Sequence, residues 1–119
     1  MADYVKTHED ERYLAVWFYN EDEKPLAIGE KMYALNPDAY MNGYNWEALF
    51  NYYLGKHAPE LLEGLDSDPE AGSYAAYYKP SEENRKKMEK FAEIITYLIE
   101  NEDVLYRLVQ EEGGEIEWD

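Results

Sequence analysis

The chain contains no cysteine. That excludes a disulfide framework, a thiolate metal site and a cysteine nucleophile. Histidine is almost as scarce: His8 and His57 stand far apart, and His57-x-x-Glu60 lacks the second histidine or thiol that a zinc site needs. Basic residues are few, 11 against 27 acids, for a net charge of −16. Nucleic acid and anionic membranes both call for a basic surface, so neither is expected as a direct partner. No apolar run approaches the length of a membrane span. The opening Met1-Ala2-Asp3-Tyr4-Val5-Lys6 has neither the basic nor the apolar region of a signal peptide, and the cytoplasm is the expected location. There is no glycine-rich phosphate loop and no Gly-x-Ser-x-Gly elbow. No catalytic residue, cofactor or metal is therefore expected.

What is present is aromatic and acidic. Thirteen tyrosines, three tryptophans and three phenylalanines fall among 119 residues. Such rings fill cores and also anchor binding surfaces. Apolar residues make up 45% of the chain, enough for one core without staples. A single domain over 1–119 is expected, with a polar, loose segment at 1–11. The charge favours a basic protein, a cation or a peptide as partner. A monomer or a weak homodimer is expected.

Periodicity places the elements. Arg12 to Tyr19 reads as a strand, with Leu14, Val16 and Phe18 on one face and Tyr13, Ala15, Trp17 and Tyr19 on the other. Both faces are largely apolar, which predicts cover on both sides. Residues 20–25 form a polar turn, and 26–35 mix the two periods but favour a short helix. Asn45 is the expected cap of a helix over 45–55, whose stripe is Trp46, Leu49, Phe50, Tyr53 and Leu54 and whose stop is Gly55. One more helical turn starts at Pro59. Residues 63–72 read as an acidic connection and Ser73 to Tyr78 as a strand. Ser81 caps a helix over 81–100, and Asn101 one over 102–111. Gly113-Gly114 stops that last helix, and Glu115-Ile116-Glu117-Trp118 alternates like a short terminal strand. The mixture predicts an α+β fold, a small antiparallel or mixed sheet packed on three to four helices.

Three features invite a functional reading. Asp66-Ser67-Asp68-Pro69-Glu70 opens like a calcium loop, but positions six and twelve hold Ala71 and Tyr77 instead of glycine and glutamate. A solvated or partner-facing acidic loop fits better. Arg85, Lys86, Lys87 and Lys90 form the one basic cluster, and Glu82–Lys86 and Glu83–Lys87 space as helical ion pairs, which predicts a self-paired face. The tyrosines either pad the core or stand beside carboxylates as anchors; Tyr77 and Tyr78 face opposite ways, so one at most points inward. A partner interface is expected at Asp66, Asp68 and Glu70 with Tyr44, Glu47 and Tyr78, and further along at Glu117 and Asp119.

Three stretches carry a resemblance: Asn42-Gly43-Tyr44-Asn45-Trp46-Glu47-Ala48-Leu49-Phe50, Asp68-Pro69-Glu70-Ala71-Gly72-Ser73-Tyr74-Ala75-Ala76-Tyr77, and Glu115-Ile116-Glu117-Trp118-Asp119. In that order and spacing, over about 42–119, the chain resembles the Immunity protein 51 family, small acidic proteins found beside bacterial polymorphic and contact-dependent toxins. The resemblance implies a cognate inhibitor that binds a secreted toxin domain, often a nuclease, and protects the producing cell and its kin. The charge of −16 adds the expectation of a basic toxin cleft, and tight inhibition needs only an occluding interface, with no catalytic group of its own. An acidic regulator or nucleic-acid mimic with a cellular partner is the alternative within binding functions. A small acidic hydrolase is the alternative outside them, since 27 acids always offer some carboxylate pair.

Overall fold

The computed structural model describes residues 3–119. In chain order the elements are β1 (Val5–Glu9), β2 (Leu14–Phe18), α1 (Glu23–Leu35), α2 (Gly43–His57), a 3-10 turn (Pro59–Leu62), β3 (Asp66–Pro69), β4 (Tyr74–Tyr78), α3 (Glu82–Glu100), α4 (Glu102–Glu111) and a second 3-10 turn (Gly113–Glu115). The four strands form one sheet in the order β1-β2-β4-β3, every neighbouring pair antiparallel. The fold is α+β, as the alternation of periods predicts.

The core lies on one face of the sheet. Leu14, Val16 and Phe18 of β2 and Tyr74, Ala76 and Tyr78 of β4 are all buried there. Phe50 of α2 is the hub of the layer above, with ring centroids 5.2 Å from Tyr74, 5.5 Å from Phe18 and 5.8 Å from Phe91 of α3. Helices α2 and α3 thus share the inner face, and α1 packs behind them on α4 and α3. Helix α3 buries Met88, Phe91, Ala92, Ile95, Leu98 and Ile99, the stripe its 3.6-residue period sets out. Ser81 caps it through a 3.0 Å bond from the Asn84 amide.

Several expectations are corrected. The segment expected to be loose contains edge strand β1, paired with β2 from Val5 to Glu9. Helix α1 begins earlier, at Glu23, because Pro25 falls in its first turn, where no intrahelical donor is needed. Helix α2 is capped by Asn42, whose side chain accepts the Asn45 amide at 2.9 Å. It runs through Gly55 to His57. The acidic connection contains strand β3, hydrogen-bonded along β4. An extended strand cannot wrap a cation, so the calcium-loop geometry is absent. The chain end forms no strand; Ile116 is buried and the Trp118 indole donates to the Gly113 carbonyl at 3.0 Å. Asn101 donates its amide to Tyr97 and does not cap α4 with its side chain. In the basic cluster, Arg85 pairs with Glu9 of β1 at 3.0 Å and with Glu82 at 3.7 Å, and Lys90 with Glu60 at 3.5 Å. It braces α3 against its neighbours more than against itself.

Candidate protein-binding surface

Gly43 brings the expected interface residues together. A Cβ there would sit 1.8 Å from the Glu70 carbonyl and 2.3 Å from that of Ser73, so only glycine allows α2 to start against the β3–β4 turn. The Gly43 amide donates to the Ala71 carbonyl at 3.0 Å, and the Asn20 side chain donates to the same oxygen at 3.2 Å. Tyr44, 41% exposed, follows directly, and Glu47 lies one turn on. Ser67 of β3 donates its hydroxyl to the Glu47 carboxylate. Edge strand β3 is therefore fastened to α2 by one bond on the inner side of the sheet.

A groove of about 500 Å³ opens beside this junction. Tyr44, Glu47, Ala48, Asn51 and Tyr52 of α2 form one wall, and Glu115, Glu117, Trp118 and Asp119 the other. Asn45 builds it. This buried side chain donates to the Tyr40 carbonyl at 2.8 Å and accepts the Asp119 amide at 2.6 Å, which pins the tail against the helix. Four carboxylates line the groove and no lysine, arginine or histidine does. At its far end the Tyr52 hydroxyl donates to Glu112, which Lys56 meets at 2.7 Å. The lysine, and then the phenol, hold the Glu112 carboxyl below its ordinary range, and the bond to Glu112 raises the Tyr52 phenol. The lining offers no histidine or serine.

On the other side of β3 the acids face differently. Directly opposed residues of an antiparallel pair share a face. Asp66 lies opposite Tyr77, and Asp68 opposite Ala75, so both carboxylates stand on the outer face of the sheet. Glu70 follows in the turn and is exposed. The free edge of β3 is poor in donors. The Glu70 amide bonds the Ser73 carbonyl at 2.8 Å, which phases the ladder so that position 69 points its nitrogen outward, and that position is proline. Strand addition is thereby discouraged.

The expected residues thus form two groups around one strand. Asp66, Asp68 and Glu70 stand at the outer face and turn, while Tyr44, Glu47, Glu117 and Asp119 line the groove. Tyr78 is the exception. It is 2% exposed, its hydroxyl donates to the Leu61 carbonyl at 2.6 Å, and burial raises its phenol. It holds the 3-10 turn to the sheet and offers nothing to a partner; Tyr77 occupies the outward position. Glu115, Tyr52 and Asn45 escaped the sequence reading. Asn45 in particular imitates a cap in the sequence, and only its contact with a residue 74 positions away reveals its role. His8 and His57 do not converge, and among the described residues no three His, Asp or Glu side chains are placed to hold a metal ion. Among the same residues no helix is long and apolar enough to cross a membrane.

The family model for Immunity protein 51 matches residues 5–114. The match takes in β1, β2 and α1 as well as the first two stretches on which the resemblance rests; Glu115 to Asp119 lie beyond it. No curated protein and no solved structure matches the chain.

Proposed function

The chain belongs to the Immunity protein 51 family, and from that premise we propose that it is the cytoplasmic inhibitor of a cognate bacterial toxin domain. It binds the toxin with β3 and the groove beside it, and it acts by covering the toxin's working surface, with no catalytic step of its own. The observation that carries this reading is the groove of four carboxylates without a compensating base, placed next to an acidic edge strand. Such a surface complements a basic cleft. Nucleases approach a polyanion and need basic clefts, so a nuclease is the toxin class that fits. Carboxylates then stand where phosphates would, and Tyr44, at the mouth of the groove, where a base would stack. A charge of −16 steers the encounter and keeps the inhibitor monomeric until it meets its partner.

The test is co-expression with the toxin domain encoded next to it, scored for survival and for co-purification. Protection with a stable 1:1 complex is the expected result. The association rate should fall on the order of ten-fold from low to physiological salt, with dissociation changing less. A toxin that kills as efficiently in the presence of this chain would refute the assignment.

A further inference from the structure

Among the described residues, no helix is seen to pack on the outer face of the sheet. Both helices that touch the sheet, α2 and α3, meet it through the inner-face rings Tyr74 and Phe18. Yet the outer face carries aromatic side chains that a solvated sheet does not need. Trp17 of β2 lies opposite Ala75 of β4, and Ala15 opposite Tyr77. Tyr13 packs edge-on to Tyr77 at 5.3 Å. Trp17 is stacked at 5.3 Å on His8, which is itself held by Asp10 at 3.0 Å. Trp17, Tyr19 and Tyr77 remain half-buried and, with Asp68 and Glu70, line a hollow of about 270 Å³. That lies below the roughly 300 Å³ at which pockets for drug-sized ligands begin. It suits one long side chain.

We propose that this hollow receives an arginine side chain of the bound toxin, which deepens the immunity reading and rests on it. Charge complementarity identifies the occupant. Asp68 and Glu70 lie on the β3 side of the hollow, while Lys6 lies opposite Trp17 on the far strand β1 and does not line it. A guanidinium can lie flat on Trp17 or Tyr77 and fork to two carboxylates, a geometry an ammonium cannot copy. The alkyl stem would run over Ala75. A second copy of this chain fits poorly. An isologous pairing would bring Asp66, Asp68 and Glu70 of each copy to the same contact, and each copy carries −16.

Ala75→Arg tests the proposal without opening the core. Ala75 is half-buried on the outer face directly opposite Asp68, so the new side chain fills the hollow from within and pairs across the strands. The probe is acetyl-arginine amide at millimolar concentration, followed by the indole resonance of Trp17 and the amide resonance of Tyr77. Both should shift and saturate, acetyl-lysine amide should bind several-fold more weakly, and Ala75→Arg should abolish the response at an unchanged unfolding midpoint. Asp68→Asn with Glu70→Gln is the second variant, and it should lose the response while keeping every ring. Equal shifts with the lysine amide, shifts confined to the Trp118 groove, or a dimer dispersed by Ala75→Arg would each overturn the proposal. In the survival assay Ala75→Arg should weaken protection. Protection unchanged in that variant would overturn the arginine site and leave the immunity reading standing. Failure of the wild-type chain to protect would defeat the immunity reading, and the amide titration would still decide the hollow.

Discussion

Strand β4 reads Tyr74-Ala75-Ala76-Tyr77-Tyr78, and its alternate residues meet opposite fates. Tyr74 and Tyr78 are buried under α2 and α3, whereas Ala75 and Tyr77 face away from every helix. Strand β2 divides the same way, Phe18 inward and Trp17 outward. Chemically the two faces are alike, rich in rings with small residues between. They differ in what surrounds them. The inner rings meet other rings across the core, and the outer ones meet carboxylates of an edge strand. The same residue type is thus a folding element on one side and, on the proposed reading, a recognition element on the other, and the neighbours decide which.

If that division is right, substitutions on the inner face should cost stability and those on the outer face binding. The largest effect is expected at the hub. Phe50→Ala removes a ring touching Phe18, Trp46, Tyr74 and Phe91, and should lose about 3–5 kcal/mol in denaturant unfolding. A loss below about 1 kcal/mol would mean that the inner layer is not closely packed. Gly43→Ala comes next. Its Cβ meets backbone oxygens that cannot swing aside, and about 1–3 kcal/mol should be lost. Because the α2–turn junction also shapes the proposed partner surface, affinity should fall with it.

A sharper comparison sets the two adjacent tyrosines against each other. Tyr78→Phe strips a buried hydroxyl from the Leu61 carbonyl and should lose about 1–2 kcal/mol. Tyr77→Phe, on the outer face, should stay within about 0.5 kcal/mol of the parent. Equal losses would erase the distinction between the faces. The smallest effect is one of pH. His8, followed by the amides of Arg12 and Tyr13, holds the Asp10 carboxyl down to about 2. A carboxyl depressed by folding contributes stability that is fully present above its unfolded value near 4 and is lost as pH falls through about 2. The unfolding midpoint should therefore decline across that window, and Asp10→Asn should flatten that part of the decline. An unaltered slope in the variant would assign the acid sensitivity elsewhere.

Helices α3 and α4 were legible residue by residue, because sustained 3.6-residue stripes survive any tertiary context. The α+β class and the Immunity protein 51 resemblance were legible too. Strand β3 was not. Asp-Ser-Asp-Pro has almost the poorest strand propensity available, and it extends only because β4 offers it a ladder. Strand β1 hides for a related reason, since only Val5 among its five residues is fully buried. The two apolar faces of β2 predicted cover on both sides; this chain supplies cover on one. Of the candidate site, the acids were legible from their crowding near the turn. That Tyr78 is the buried one of the adjacent pair was not legible, because alternation says that Tyr77 and Tyr78 diverge and not which of them points inward.

The central claim is that the acidic edge strand exists to be bound and not to hold the fold. The direct measurement is calorimetric titration of the variant carrying Asp66→Lys, Asp68→Lys and Glu70→Lys together against the cognate toxin domain, with thermal unfolding recorded alongside. All three side chains are exposed, so the midpoint should stay close to that of the parent. Affinity should drop on the order of 100-fold or more, as reversed charges meet a basic surface. A folded variant that binds as tightly as the parent would contradict the account.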